Sequence, residues 1–322
     1  MPHSAETPVA LTVLPRDAGE RLDRFLARRF PERSRAYFQR CLRDGHVLHN
    51  GSAARPSETV RRGDSVTISW PPEPHFELRA EDIPLDILAE DDDLLVISKP
   101  AGLVVHPAKG NWSGTLVQAL LAHSEEDFTA MSGEEMRPGI VHRLDKDTSG
   151  VMVIAKHNAA REALCQAFHE RRVEKTYLAL VLGTFQVQTG EIRAAVGRHP
   201  RERKKMAVLK SGGKPAETHY RVLGSSGNVS LVEVRILTGR THQIRVHFAH
   251  LQHPVLGDPV YGGRQRGLAC APQRQMLHAW KLVLPHPRTG LRVAFTAPLP
   301  ADFAEVLQCL GLPTPESPTV PR

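Results

Sequence analysis

Cysteine is scarce: Cys41, Cys165, Cys270 and Cys309 are the four in 322 residues, and no two form a C-x-x-C pair. That spacing excludes a zinc ribbon or a thioredoxin-type motif and reads as four reduced thiols. Aromatics make up 5% of the chain, so stacking surfaces are few. No apolar run reaches the ~20 residues of a membrane-spanning helix. The first ten residues lack a basic segment followed by an apolar one, so no signal peptide is expected and the expected compartment is the cytoplasm. The seventeen histidines include no H-E-x-x-H. No glycine-rich strand-to-helix loop of a nucleotide or methyl-donor site is evident. Neither a metal nor a cofactor is therefore expected. D-D-D at 91–93 is a weak nuclease-type metal candidate and reads better as a solvated turn.

Positive charge is in excess. Lys and Arg number 42 against 35 Asp and Glu, a formal net charge of +7. Such an excess suits a polyanionic partner, because neutralising phosphates releases counterions. The hydrophobic share of 41% is enough for real cores, and the length suggests two domains.

Residues 1–15 read as a flexible tail. The stretch 16–72 reads as a separate module, 73–80 as a proline-rich linker and 81–312 as the main domain. The proline-rich end, 313–322, reads as disordered. In the module, Leu22, Phe25, Leu26 and Phe30 recur at helical spacing, and Ser34 is placed to cap a second helix to about Arg43. Asp44-Gly45 and Asn50-Gly51 are turn signals around a short strand, and R-R-G-D-S-V-T-I ends in an alternating strand. The helices carry Arg21, Arg24, Arg28, Arg35 and Arg40 among others, with few acids between them. The expectation is a basic face that holds RNA phosphates.

In the main domain, D-L-L-V-I-S-K-P-A-G-L-V-V-H-P reads as two strands joined by a Pro-Gly corner. G-V-M-V-I-A-K, Y-L-A-L-V-L-G, L-V-E-V-R-I-L and Q-I-R-V-H-F read as further strands, with helices near Thr115–Ala122 and Asn158–Glu170. Strands outnumber helices without regular alternation. The expected class is α+β with a mixed, largely antiparallel sheet.

The segment G-I-V-H-R-L-D-K-D-T-S-G-V-M-V-I-A-K, 139–156, sets a dense polar cluster between apolar strands. By composition it is either a charged hairpin loop with internal ion pairs or a loop that holds reactive groups on a rigid scaffold. Gly150 suits a close backbone approach. Arg245 alternates with Ile244 and Val246, which on a strand points it away from them. A lone inward Arg needs a carboxylate, and Asp145 is the candidate. Arg240 and His242 are expected to orient their loop or touch phosphate, and Lys99 to be structural.

H-R-L-D-K-D-T-S-G resembles the signature of the RluA family of RNA pseudouridine synthases over nine consecutive positions. E-K-T-Y at 174–177 and L-T-G-R-T-H-Q-I-R-V-H at 237–247 resemble two further motifs of that family. K-P-A-G-L-V-V-H-P, K-P-A-E-T-H-Y and G-D-P-V-Y-G also look family-like. The module at 16–72 resembles the RNA-binding domain first seen in ribosomal protein S4. The resemblance implies that Asp145 is the catalytic aspartate, Tyr177 the active-site tyrosine and Arg245 the aspartate's basic partner. It implies that Arg143 enters the RNA helix beside a flipped nucleotide. The combination looks closest to the RluD-like branch, which implies an enzyme acting on structured RNA, 23S ribosomal RNA or a large-subunit precursor; a monomer is expected. The competing expectation is a non-catalytic RNA-binding protein with a decayed enzyme domain.

Overall fold

The computed structural model describes residues 8–71, 78–107, 110–129, 131, 137–202, 205–262 and 272–315. The chain forms two compact units, Met1–Glu77 and Leu78–Arg322. The smaller unit contains β1 (Val9–Thr12), α1 (Leu22–Arg29), α2 (Arg35–Arg43), β2 (Val47–His49), β3 (Ser52–Ala53) and β4 (Ser65–Ile68). Its strands form an antiparallel sheet in the order β1-β4-β2-β3. Strand β1 corrects the expectation of a tail to residue 15. V-A-L-T is too short to signal a strand alone, but its backbone pairs with the edge of β4 from Val9 opposite Ile68 to Thr12 opposite Ser65. Ser34 caps α2, accepting from the Tyr37 N–H at 3.2 Å. Asn50 and Gly51 both take positive φ, 52° and 77°, which the tight β2–β3 turn requires. Leu22, Phe25, Leu26, Phe38, Val47, Val66 and Ile68 are fully buried and make this unit's own core.

The larger unit begins with β5 (Ile87–Glu90), β6 (Leu94–Lys99), α3 (Leu116–His123), α4 (Glu125–Thr129), β7 (Ser149–Ala155), α5 (Asn158–His169) and β8 (Glu174–Leu182). It continues with β9 (Thr189–Arg193), β10 (Val196–Arg198), β11 (Met206–Val208), β12 (Glu217–Ser226), β13 (Val229–Ile236), α6 (Gln243–His250), β14 (Leu277–Pro285), β15 (Arg292–Thr296) and α7 (Ala301–Cys309). Nine strands form one sheet in the order β5-β6-β7-β14-β8-β13-β12-β9, with β15 beside β14. Only β7 and β14 run parallel in it; every other pairing is antiparallel. This is the mixed, largely antiparallel α+β architecture expected from the pattern.

Strand alternation builds a core on each face of this sheet. On β8, Tyr177, Ala179 and Val181 belong to the core that also takes α5 residues Ala160 and Leu164 and α6 residues Ile244 and Phe248. Leu178 and Leu180 point the other way and pack with Phe303, Val306 and Leu307 of α7. Tyr177 therefore faces the side on which α5 and α6 lie.

Two readings of local structure are corrected. Q-I-R-V-H-F is not a strand but part of α6. All six of its residues are buried, so the helix carries no exposed stripe and no 3.6-residue period to read. The second strand expected at Leu103–Pro107 is absent; Val104 makes only an isolated parallel bridge to Thr115. Cys309 is disulfide-bonded, which departs from the expectation of four thiols, while Cys41 and Cys165 are free. Most of the expected linker and C-terminal tail, 72–77 and 316–322, lies outside the described residues. Among the described residues no helix is long and apolar enough to cross a membrane.

Candidate active site

Asp145 lies in the turn that enters β7, closed by the Thr148 N–H donating to the Asp145 carbonyl at 3.1 Å. Two cations hold this turn through its backbone. Lys99, at the end of β6 and fully buried, donates to the carbonyls of Pro100, Leu103 and Lys146 at 2.7, 2.9 and 2.9 Å. Burial pushes its ammonium down to about 7, against the pull of the Asp147 charge. Arg274 donates to the Asp147 carbonyl at 3.1 Å and forks onto Asp302 of α7 at 2.6 and 2.8 Å. Gly150 ends the turn at φ 121°, and a Cβ there would lie 2.1 Å from the Ala279 carbonyl oxygen. No side chain fits where β7 meets β14 so closely.

The Asp145 carboxylate meets Arg245 of α6. Arg245 Nη1 donates to Asp145 Oδ2 at 2.9 Å. The guanidinium's other edge forks onto Asp258, at 2.6 Å through Nε and 3.0 Å through Nη2. Asp258 also accepts from the N–H groups of Val260 and Tyr261, at 2.8 and 3.0 Å. Arg245 and Asp258 are buried, whereas the Asp145 side chain keeps 19% of its surface open. Burial of Arg245 is outweighed by Asp258 and then by Asp145, so the guanidinium is held firmly charged. The carboxylate that remains reachable is thus gripped by a cation that a second, sealed carboxylate aims.

His242 caps α6 in the left-handed conformation, at φ 56°. Its Nδ1 lies 2.9 Å from the Tyr261 hydroxyl, and its Nε2 lies 3.9 Å from Asp145. Burial keeps its imidazole below the usual range, against the Asp145 charge. Tyr177 is 8% exposed. Burial, with the Asp145 charge second, pushes its hydroxyl well above the ordinary range, so it stays protonated. His142 is a structural member of the loop: its Nε2 accepts from the Val153 N–H at 3.0 Å, and burial lowers it to about 3.

Asp145, Tyr177, Arg245, Arg143 and Arg240 line one cavity of about 500 Å³. Arg143 is exposed at that cavity. Arg240 donates to the Pro215 carbonyl at 3.1 Å and belongs to the loop that leads into α6. The sequence reading missed Asp258 and Tyr261, although G-D-P-V-Y-G was noted. An Asp between Gly and Pro looks like turn chemistry until the arginine above it is seen.

The arginines of the smaller unit divide. Arg21 and Arg35 pair with the fully buried Asp23, at 3.2 and 2.8 Å, and Gln39 donates to the same carboxylate at 2.7 Å. Burial opposes ionisation of Asp23, but these three donors hold it well below the usual range. Arg28 pairs with Asp17 and Glu20 at 2.8 and 2.9 Å. Three of the five arginines expected to face phosphate thus also hold internal pairs. Arg28 is paired because Asp17 and Glu20 reach α1 from the preceding turn, and Arg21 and Arg35 because both meet the buried Asp23 of α1. Arg24 and Arg40 are exposed and have no carboxylate partner among the described residues.

Among the described residues two groups have ligand-like proximity for a metal, Asp91 with Asp93 and His286, and Glu191 with Glu217 and His219. Neither lines the cavity. Asp91 instead accepts from the N–H groups of Asp93 and Leu94, as a turn residue does.

Comparison with known proteins agrees with this architecture. The family model for RNA pseudouridylate synthase matches residues 93–250, and that for the S4 domain matches residues 20–66. An uncharacterized RNA pseudouridine synthase of Chloroflexus aurantiacus is 51% identical over 93% of each chain. The ribosomal large subunit pseudouridine synthase D of Nitrosomonas europaea is 44% identical over 95% of this chain and 88% of its own. The solved structure of human RNA pseudouridylate synthase domain containing 4 superposes with a TM-score of 0.57 at 27% identity, covering 72% of this chain and 95% of that one. Fold, site and relatives define an isomerase that acts on RNA. The chain belongs to the family of RNA pseudouridine synthases and carries an S4 domain ahead of the catalytic unit.

Proposed function

We propose that this enzyme converts specific uridines of large-subunit (23S) ribosomal RNA to pseudouridine, with Asp145 as the catalytic carboxylate. The observation that carries the reading is the Asp145–Arg245–Asp258 clasp, whose Asp145 and Arg245 line one basic cavity with Tyr177. The relatives that cover nearly the whole chain support the choice of RNA. The compartment we propose is the cytoplasm, where that RNA is found, and the enzyme works there as a monomer.

The target base first leaves the stack, at a cost of a few kcal/mol. Arg143, exposed at the cavity, fills the gap it leaves. Asp145 then acts on the ribose, either by attack at C1′ or by taking the C2′ proton. Both routes require its carboxylate, and both break the N1–C1′ bond. The detached uracil turns against Tyr177, and its C5 bonds to C1′ as the Asp145–C1′ bond breaks or, on the second route, as C2′ regains its proton from Asp145. C5 loses its proton and N1 gains one, so no redox partner is consumed. Arg245 holds the carboxylate in place throughout.

Tritium release from a large-subunit RNA transcript labelled at uracil C5 tests the proposal. Release should persist in EDTA without added cofactor, on a hairpin that stays folded without magnesium. Binding without release in every condition would favour a non-catalytic RNA-binding protein instead.

Deleting residues 1–72 should raise the apparent KM about tenfold and flatten its salt dependence, because phosphate contacts position the substrate. The loss should trace to Arg24 and Arg40, since Arg21, Arg28 and Arg35 are internally paired. Single-turnover rates at saturating RNA should change by less than about threefold. Unchanged KM and salt slope in the truncated enzyme would remove the S4 unit from substrate binding.

A further inference from the structure

Two cations of the cavity have no part in the chemistry above. Arg171 follows α5, and Lys175 lies on β8; both line the cavity with Tyr177. Lys175 precedes Tyr177 by two residues, so the two side chains leave the strand on the same face about 7 Å apart. The Lys175 ammonium lies 5.7 Å from the centre of the Phe168 ring. Its neighbour Glu174 is taken by Arg235 and Arg292. Neither Lys175 nor Arg171 has a carboxylate partner among the described residues.

The imbalance extends across the cavity. Arg143, Arg171, Lys175, Arg240 and Arg245 line it against a single carboxylate, Asp145, which Arg245 already engages. Burial first and the Arg171 charge second hold the Lys175 ammonium below its ordinary value. Two like charges in a partly buried wall without a counterion are unfavourable in the empty site, and an anion between them relieves both terms. Arg171 is set at this wall by the turn that ends α5. It adopts φ 59°, with its N–H donating to the Phe168 carbonyl at 3.2 Å.

We propose that Arg171 and Lys175 form a phosphate subsite that grips the RNA backbone at the target nucleotide while its base lies against Tyr177. With a base on Tyr177, its sugar and phosphate can reach Lys175, which stands two residues, about 7 Å, along the strand. This assignment rests on the uridine-isomerase reading of the site. It adds a wall that orients the nucleotide, opposite in role to the clasp that performs the chemistry.

The test uses the full-length enzyme and the C5-tritiated large-subunit RNA transcript. Lys175→Met keeps the aliphatic stem over Phe168 and removes only the charge. Combined with Arg171→Gln, it should raise KM roughly 10–100-fold and reduce the slope of log affinity against log salt by about 1. Single-turnover rates at saturating RNA should stay within about threefold, and Lys175→Arg should keep the wild-type KM. Unchanged KM and salt slope would make Lys175 a packing residue and overturn the subsite. A slower saturating step at unchanged KM would assign the pair to the chemical step and overturn it equally. Should Lys175→Met melt early, Arg171→Gln at its exposed position carries the same test. If wild-type enzyme releases no tritium, the isomerase reading fails. Filter binding of the same transcript by wild type and variants then still decides whether the pair holds phosphate.

Discussion

Asp145→Asn should lower single-turnover tritium release by at least ~10³-fold while leaving RNA affinity within about twofold. The substitution is nearly isosteric. Its remaining carbonyl oxygen can still accept from Arg245, so the clasp keeps its shape. What it loses is the charge and lone-pair basicity that either route to a detached uracil requires. On the proposed reading affinity comes from elsewhere: Arg143, Arg171, Lys175 and Arg240, which line the cavity, and the S4 unit. Removing one negative charge from that surface should, if anything, tighten binding slightly, most visibly at low salt. Filter binding and tritium release on the same preparation separate the two effects. Turnover within about tenfold of wild type would mean that another group performs the reaction.

Asp258→Ala should damage both stability and rate, although Asp258 is sealed from the cavity. Removing it leaves the buried Arg245 held only by Asp145 and orphans the N–H groups of Val260 and Tyr261. Breaking a buried pair in this way costs about 3–5 kcal/mol, and at ~2–4 °C per kcal/mol for a unit of this size the Tm should fall by roughly 10 °C. Arg245 would no longer be aimed, and displacement by about 1 Å near reacting groups costs on the order of 10²-fold in rate. Replacing both partners, Arg245→Met with Asp258→Leu, should recover most of the stability and none of the turnover. A thermal melt beside a single-turnover assay reads both. If Asp258→Ala melts with wild-type enzyme and turns over normally, Arg245 is positioned by something other than this carboxylate.

Much of the architecture was legible in the chain because its signals are local. The Asn50-Gly51 turn, the Ser34 cap and the apolar spacing of α1 each depend on a few neighbouring residues, and each is where the spacing puts it. The strands β6, β7, β8 and β13 are apolar runs whose identity does not depend on their partners. Gly150 was readable as a place of close approach, though not as the place where β7 meets β14. The run H-R-L-D-K-D-T-S-G carried the reactive loop whole, since its members are adjacent in sequence.

Other features were decided only by tertiary structure. The α6 segment reads as a strand because Ile244 and Val246 flank Arg245. Burial on all sides removes the exposed stripe that would have revealed a helix. Arg245 still reaches Asp145, but from a helix end set by His242 in the left-handed region. The arginines of α1 and α2 look like one basic face in sequence. Their division into paired and free sets depends on Asp17 and Glu20 folding back and on Asp23 being buried. By itself the sequence determined much of the vocabulary: the dense polar loop at 139–156, most of the strands, and a charge excess that suits an anionic partner. Which carboxylate is open and which is sealed, and which cations are spent on internal pairs, was decided by the fold. Burial and pairing depend on residues brought together from distant parts of the chain, such as Asp145, Arg245 and Asp258, and no local pattern encodes that proximity.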